Sequence, residues 1–216
     1  MNQMDTPELA VFARELIHSR QNVSPKRLVE PGPSPTELHD FLATAGAAPD
    51  HGMLMPWRFV VVPADSRAAL AEVFARSLQE RDPLATTEQI DAAREKAYRA
   101  PFLMLAIVRL QAKPGDTSRK PAPDDDNYEA TVCDAERLVS LGCAIQNIIL
   151  AAHAAGFGSG LTSGQAMRSA PLRALFSLTR DEQAVCCINL GTVSKHRPIR
   201  LRPGVTDYVS ELRSAN

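Results

Sequence analysis

The run FLMLAIVRL, residues 102–110, is apolar at successive positions rather than at alternate ones. A run this short with that pattern is a strand buried on both faces, because a half-exposed strand alternates apolar and polar residues. A chain that contains one must bring apolar cover to each side of a sheet. A second run of the same kind, AVCCINLG at 184–191, and the β-branched and aromatic stretch WRFVVV at 57–62 supply further strands.

The cover has to be helical. Thr6-Pro7-Glu8 reads as an N-cap followed by proline at the first helical position, with Leu9, Phe12, Leu16 and Ile17 at helical spacing up to Ser19 and Arg20. Ser34-Pro35-Thr36-Glu37 is a capping box that leads into Leu38, Phe41, Leu42 and Ala45 on one face. Pro49 biases Ala48 toward an extended conformation, which makes Asp50-His51-Gly52 a helix-to-strand loop. Asp65 and Ser66 cap a helix with Leu70, Val73, Phe74 and Leu78 in register, and 86–99 is a more polar helix closed by Pro101. Residues 129–155 form a long central helix with Ile145, Ile148, Ile149 and Ala152 along one stripe and Gly156 as its C-cap, and a short helix follows at 169–176. The segment 111–128 clusters prolines, glycine and charges without periodicity, as a functional excursion or a mobile segment would.

Two helices precede the first strand, so a mixed α+β sheet flanked by helices around the long central one fits better than a doubly wound parallel sheet. At 216 residues the chain is expected to form one domain, 1–216. A formal net charge of -1 offers no electrostatic reason to bind nucleic acid or an anionic membrane, so a small-molecule partner is expected. The first twenty residues carry acids early and no unbroken apolar core, which fits neither a signal peptide nor a membrane span and points to the cytoplasm. The four cysteines have no C-x-x-C spacing and the five histidines no short metal spacing, so no metal site is expected.

The glycine-rich stretch GFGSGLTSG, 156–164, fails two motif tests. A dinucleotide fingerprint needs glycine where Leu161 stands and must follow a strand, whereas this stretch follows a helix. A nucleophile elbow needs G-x-S-x-G, and both Ser159 and Ser163 fall one position late, which argues against a serine hydrolase; inertness to a serine-reactive phosphonate would finish that reading. Two readings stay open: a helix C-cap with a turn into a strand, or bare backbone that lets a flat ligand approach. His51 is either a hydrogen-bonded loop residue or a ligand contact, Asp50 a turn former, and Trp57 core or platform. Arg20, Lys26 and Arg27 read as a solvated surface run, and Arg197, Arg200 and Arg202 as a disordered basic tail.

Taken in order, SRQNVSPKRLVEPGPSPTELHDFLATAGAAPDHGMLMPWRF, GCAIQNIILAAHAAGFGSG and INLGT resemble the nitroreductase family, in particular its small YdjA-like branch. There an RRS element is followed by PAP, a helix and APDH…PWxF, and the likeness spans nearly the whole chain. The resemblance implies a nitroreductase-like α+β fold, a homodimer, FMN in a groove at the dimer interface, NAD(P)H as reductant, and nitro compounds or quinones as small-molecule electron acceptors. It places the flavin-contacting RRS on Arg20, Gln21 and Asn22, and the APDH histidine that meets FMN from the other subunit on His51. An FMN-contacting arginine of the branch falls on Ala47, and the WRS after the glycine-rich turn on Leu161, Thr162 and Ser163. The stretch 151–156, bounded by Ala151 and Gly156, matches the nicotinamide nucleotide region. Arg20, Arg27 and Arg200 are the guanidinium groups available to a phosphate.

Gln21, Asn22, Ala47, Leu161 and Thr162 depart from that pattern. A lost charged hydrogen bond costs about 1.5–3 kcal/mol of cofactor binding. A flavin-binding or flavin-storage dimer with little turnover is therefore the rival to an NAD(P)H-dependent flavin oxidoreductase. No side-chain nucleophile or general base is required in either, because the flavin carries the chemistry.

Overall fold

A computed structural model of the chain describes residues 6–111, 132–198 and 201–212. The excursion expected at 111–128 therefore lies, apart from Gln111, outside the described residues, as does Arg200.

Strand β3, Phe102–Arg109, is the apolar run from which the fold was inferred, and it sits inside the sheet between β2, Trp57–Val61, and β5, Glu182–Val193. Its side chains alternate between two cores as a pleat requires. Met104, Ala106 and Val108 meet Leu141, Ile145, Ile148 and Ile149 of helix α5, Asp134–Ala154, together with Phe41. Leu103, Leu105 and Ile107 meet Leu70, Ala71 and Val73 of α3, Arg67–Arg81, and Leu172 of a short helix, Ala170–Leu175. On β5 the register slips where Ala106 pairs with Cys186 and Ile107 with Ala184. That extra residue sends Ala184 to the α3 side while Cys186 faces α5.

The fold class is α+β, as expected. Among the described residues, all strand pairs are antiparallel rather than mixed, and parallel pairing is confined to a single bridge between Asn22 and Ser159. Apolar patterning reports burial and not direction, and the long connection from β2 to β3 allows either sense. Two strands were not foreseen: β1, Leu28–Val29, and β4, Gly158–Thr162, which begins inside the stretch expected to turn. Helix α1, Thr6–Ser19, buries none of its residues. Helix α2, Pro35–Ala43, starts on the foreseen capping box, with Glu37 Oε2 accepting Ser34 N–H at 2.8 Å. The central helix begins at Asp134, later than 129, where Glu136 accepts the N–H of Cys133 at 2.7 Å. The polar helix after α3 is Thr87–Arg94, continued by a 3-10 turn, Glu95–Tyr98.

Arg67 is the least expected core residue. Its side chain is buried, with Nε donating to Val62 O at 2.9 Å, Nη1 to Ala97 O at 2.7 Å and Ala100 O at 3.1 Å, and Nη2 to Pro101 O at 3.1 Å. One guanidinium thus ties the end of β2 to the turn that feeds β3. Burial draws it below the ordinary arginine value, but an arginine stays charged in proteins. Arg67→Leu is expected to cost about 3 kcal/mol or more, since four buried carbonyls lose a charged donor. Denaturant unfolding should show this loss, while Arg76→Leu, exposed on the same helix, should stay within about 0.5 kcal/mol of the parent.

Candidate functional site

The site begins where residues 22–25 lie against β4. Val23 is buried and its N–H donates to Ser159 O at 2.8 Å, and the N–H of Leu161 donates to Asn22 Oδ1 at 3.0 Å. Approach this close needs bare backbone on the strand. A Cβ at Gly158 would strike Val193 and Leu28, and a Cβ at Gly160 would strike the carbonyl oxygen of Val23. These two glycines therefore admit the chain's own segment rather than a flat ligand. Gly156 differs: its φ of 89° closes α5, and a Cβ there would meet nothing. Behind β4, the buried Asn189 donates from Nδ2 to Gly160 O at 3.0 Å and to Thr162 Oγ1 at 3.1 Å, which fixes the strand from β5.

Two adjoining clefts open beside this contact and share Gln21, Arg27 and Arg197. The first, about 440 Å³, adds Asn22, Ser24 and Arg202. The second, about 230 Å³, adds Arg20, His153 and Gly156. Among the described residues, no Asp or Glu lines either one. The arginines are held by main-chain carbonyls instead: Arg202 Nη2 donates to Arg20 O at 2.7 Å and Arg27 Nη1 to Lys195 O at 2.8 Å. Arg27 Nε is buried with no hydrogen-bond partner. Burial, and then the charge of Arg202, lowers the pKa of Arg20. Burial, and then Arg20, lowers that of His153, whose Nε2 lies 2.8 Å from Ser19 Oγ. Cations that crowd one another without a carboxylate stabilise an anion brought among them.

The donor set suits FMN. Guanidinium groups and an unpartnered Nε match a phosphate, and the larger cleft lies within the ~300–1,000 Å³ typical of small-molecule sites. Arg20, Gln21, Asn22 and Gly156 thus come together at one place, and Leu161 joins them through Asn22. Thr162 and Ser163 line a different pocket, together with Pro25. Ala151 is half-buried and packs toward the core, outside the clefts. Ala47, exposed in a 3-10 turn after α2, and His51 lie elsewhere. The N–H and Nδ1 of His51 each lie 3.2 Å from the buried Oγ of Ser140, near the start of α5, whereas the clefts lie at its end. The helical rise puts Ser140 roughly 24 Å from Gly156. Ser24, His153, Arg197 and Arg202 complete the clefts. Apart from His153, their trace in the sequence is two basic segments free of acids, at 20–27 and 195–202, and only the fold shows that these meet. Among the described residues, no group of three or more His, Cys, Asp or Glu is placed to hold a metal ion.

Residues 24–192 match the model of the nitroreductase family. The Escherichia coli K12 protein YdjA, named as an NAD(P)H nitroreductase, is 31% identical over 182 residues, which cover 83% of this chain and 87% of that one. YfhC of Bacillus subtilis, named likewise, is 28% identical over 200 residues, covering 92% and 93%. Among solved structures, a nitroreductase-like family protein from Bacillus cereus superposes with a TM-score of 0.74 at 17% identity, over 99% of this chain and 100% of its own. The FMN-dependent nitroreductase NfnB from Mycobacterium smegmatis, solved with NADPH, does so with a TM-score of 0.68 at 17% identity, over 95% and 100%. At such identities the two structures show a shared fold.

Gly160→Ala should force Val23 off β4 and destabilise the protein by about 1–3 kcal/mol, as overpacking does. Gly46→Ala, whose Cβ meets nothing, is the control. Equal thermal unfolding of the two variants would show that the close approach is not what seats the segment.

Proposed function

Because the chain belongs to the nitroreductase family, we propose that its arginine-lined clefts hold FMN and that it passes electrons from NAD(P)H to nitro compounds or quinones by ping-pong hydride transfer. The observation that carries the cofactor's placement is the set of four arginines, Arg20, Arg27, Arg197 and Arg202, around two adjoining clefts that no carboxylate lines among the described residues. FMN, when bound, accepts a hydride from the nicotinamide and returns two electrons to the second substrate. The protein's part is to bind and orient. The guanidinium groups and the Asn22 segment would fix the phosphate end, and the backbone from Leu161 to Ser163, at the end of β4, would wall the ring. The acceptor's proton can come from water, so no general acid is assigned.

His51 enters this reading through a second copy of the chain. Roughly 24 Å of helix separates its anchor from the clefts in one chain, so a flavin cannot meet both unless another subunit brings its own His51. The surface is prepared for that. Along the outward face of α5, Val139 is 56% exposed and Leu138 is exposed beside it, and on α1 Phe12 is 47% exposed among Leu9 and Ile17. A helix apolar on both faces needs cover on both, and the core supplies one. Within the loop, Ser140 Oγ can accept the His51 N–H and give its own proton to Nδ1, which leaves Nε2–H pointing outward as a donor.

Light scattering should return twice the 23.5 kDa chain mass for the flavin-loaded protein. His51→Ala should weaken FMN binding by roughly 1–3 kcal/mol with little change in the melting of the apo form. A variant that binds FMN as the parent does but melts far earlier would reduce His51 to a loop bond. Steady NAD(P)H oxidation on adding a nitroaromatic or a quinone is the expected activity; tight FMN binding with no such turnover would favour the flavin-storage dimer.

A further inference from the structure

His153 stands in the last turn of α5 and lines the smaller cleft with Arg20 and Gln21. Ser19, at the end of α1, holds the ring. Its Oγ donates to Leu16 O at 3.4 Å, so the same oxygen accepts Nε2–H of the imidazole across 2.8 Å. Among the described residues no other hydrogen bond reaches the ring, which leaves Nδ1 unused. In a neutral ring that atom presents a lone pair, which repels an anion; only a protonated Nδ1 donates.

The charged neighbours of His153 in the cleft are all basic. Arg20 follows α1, Arg27 comes from the turn before β1, and His196 and Arg197 follow β5. Glu15 and His18 on α1, and His39 and Asp40 on α2, belong to helices packed on α5 but are exposed and outside the lining. The protein's own groups hold the imidazole below its ordinary range, burial first and Arg20 second. A phosphate dianion reverses that balance, because it offsets the arginine and attracts a further cation, and the C-terminal end of α5 favours the same charge. Gln21 gives that cation a use, since a neutral amide stands where the RRS pattern carries an arginine.

We propose that His153 is a proton-taking ligand of the phosphate, so that FMN binds together with a proton drawn from solvent onto Nδ1. This rests on the reading that FMN occupies the clefts. Only the N–H bond at Nδ1 is made, and the imidazolium then donates to a phosphate oxygen while Nε2–H stays on Ser19. The sign of the pH dependence follows. The imidazole is more basic with the phosphate beside it than without, so affinity rises as pH falls through the higher value and levels off below the lower one. One proton gives at most about tenfold per pH unit. The electron transfer itself asks nothing of His153.

The test is calorimetric titration of FMN into the flavin-free, full-length chain in two buffers of different ionisation enthalpy, whose difference counts the protons taken up. Near neutral pH the parent should take up a fraction of a proton per FMN. His153→Gln, whose amide can keep the Ser19 bond, should lose that uptake, and His196→Gln, at the exposed histidine of the same cleft, should retain it. From about pH 9 down to about pH 7, above the second ionisation of a phosphomonoester at about 6, parent affinity should rise about threefold or more while that of His153→Gln stays flat. Riboflavin, which lacks the phosphate, should bind the parent without proton uptake, an arm that decides even if His153→Gln fails to fold. FMN bound without proton uptake, uptake that persists in His153→Gln, or equal uptake with riboflavin would each overturn the proposal while leaving the flavin site intact. A parent protein that takes up no FMN would overturn the reading beneath it and the proposal with it.

Discussion

The Val23 carbonyl resting on the bare α-carbon of Gly160 is the contact on which the rest depends. With any side chain there, residues 22–25 could not lie on β4, and that segment lines both clefts as well as the pocket that Thr162 and Ser163 line. The contact itself needs β4 to be rigid, which Asn189 and the β5 ladder provide from behind. Strand β5 is in turn paired to β3, whose two buried faces require α5 on one side and α3 on the other. A local requirement for glycine is thus met only because a two-sided core stands behind it.

The distribution of charge separates structural arginines from those left for a ligand. Arg58 forms a two-point ion pair with Glu182, at 2.6 and 2.9 Å, which holds that carboxyl below its usual range. Arg94 is shared between Glu72 and Asp91. Arg67 spends its donors on four carbonyls inside the core. Around the clefts, carbonyls orient Arg27 and Arg202 without neutralising them. Main-chain oxygens hold a guanidinium in place but leave its net charge in the cavity, which is what an anionic cofactor needs.

Local signals were legible in the sequence wherever one residue type has one physical use. The Ser34 capping box, the Gly156 helix end and the buried strand at 102–109 all stand near where their patterns put them. Nonlocal facts were not. An apolar period gives burial without direction, so the antiparallel sense of the sheet was hidden, and GSGLT carries too few side chains to declare itself a strand. Arg67 sits on the inward face of α3, three residues before Leu70, where a charge reads as surface until four carbonyls are seen around it. The resemblance named Arg20, Gln21 and Asn22, which line the clefts, but their meeting with Arg197 and Arg202 is a property of the folded chain.

The strap from Arg202 to the Arg20 carbonyl joins residues 182 positions apart. Translated into the order of synthesis, the first wall of the clefts is made early and their closing arginine among the last described residues. At about 5–20 residues per second, the segment around Arg20 waits roughly 10–40 s before its counterpart exists. Through that interval its positive charge has no enclosing pocket, and a ligand held by both ends of the chain has nothing to hold it. A nascent chain that stalls between residues 193 and 202 therefore has every strand of the sheet but lacks the arginine that straps the Arg20 carbonyl.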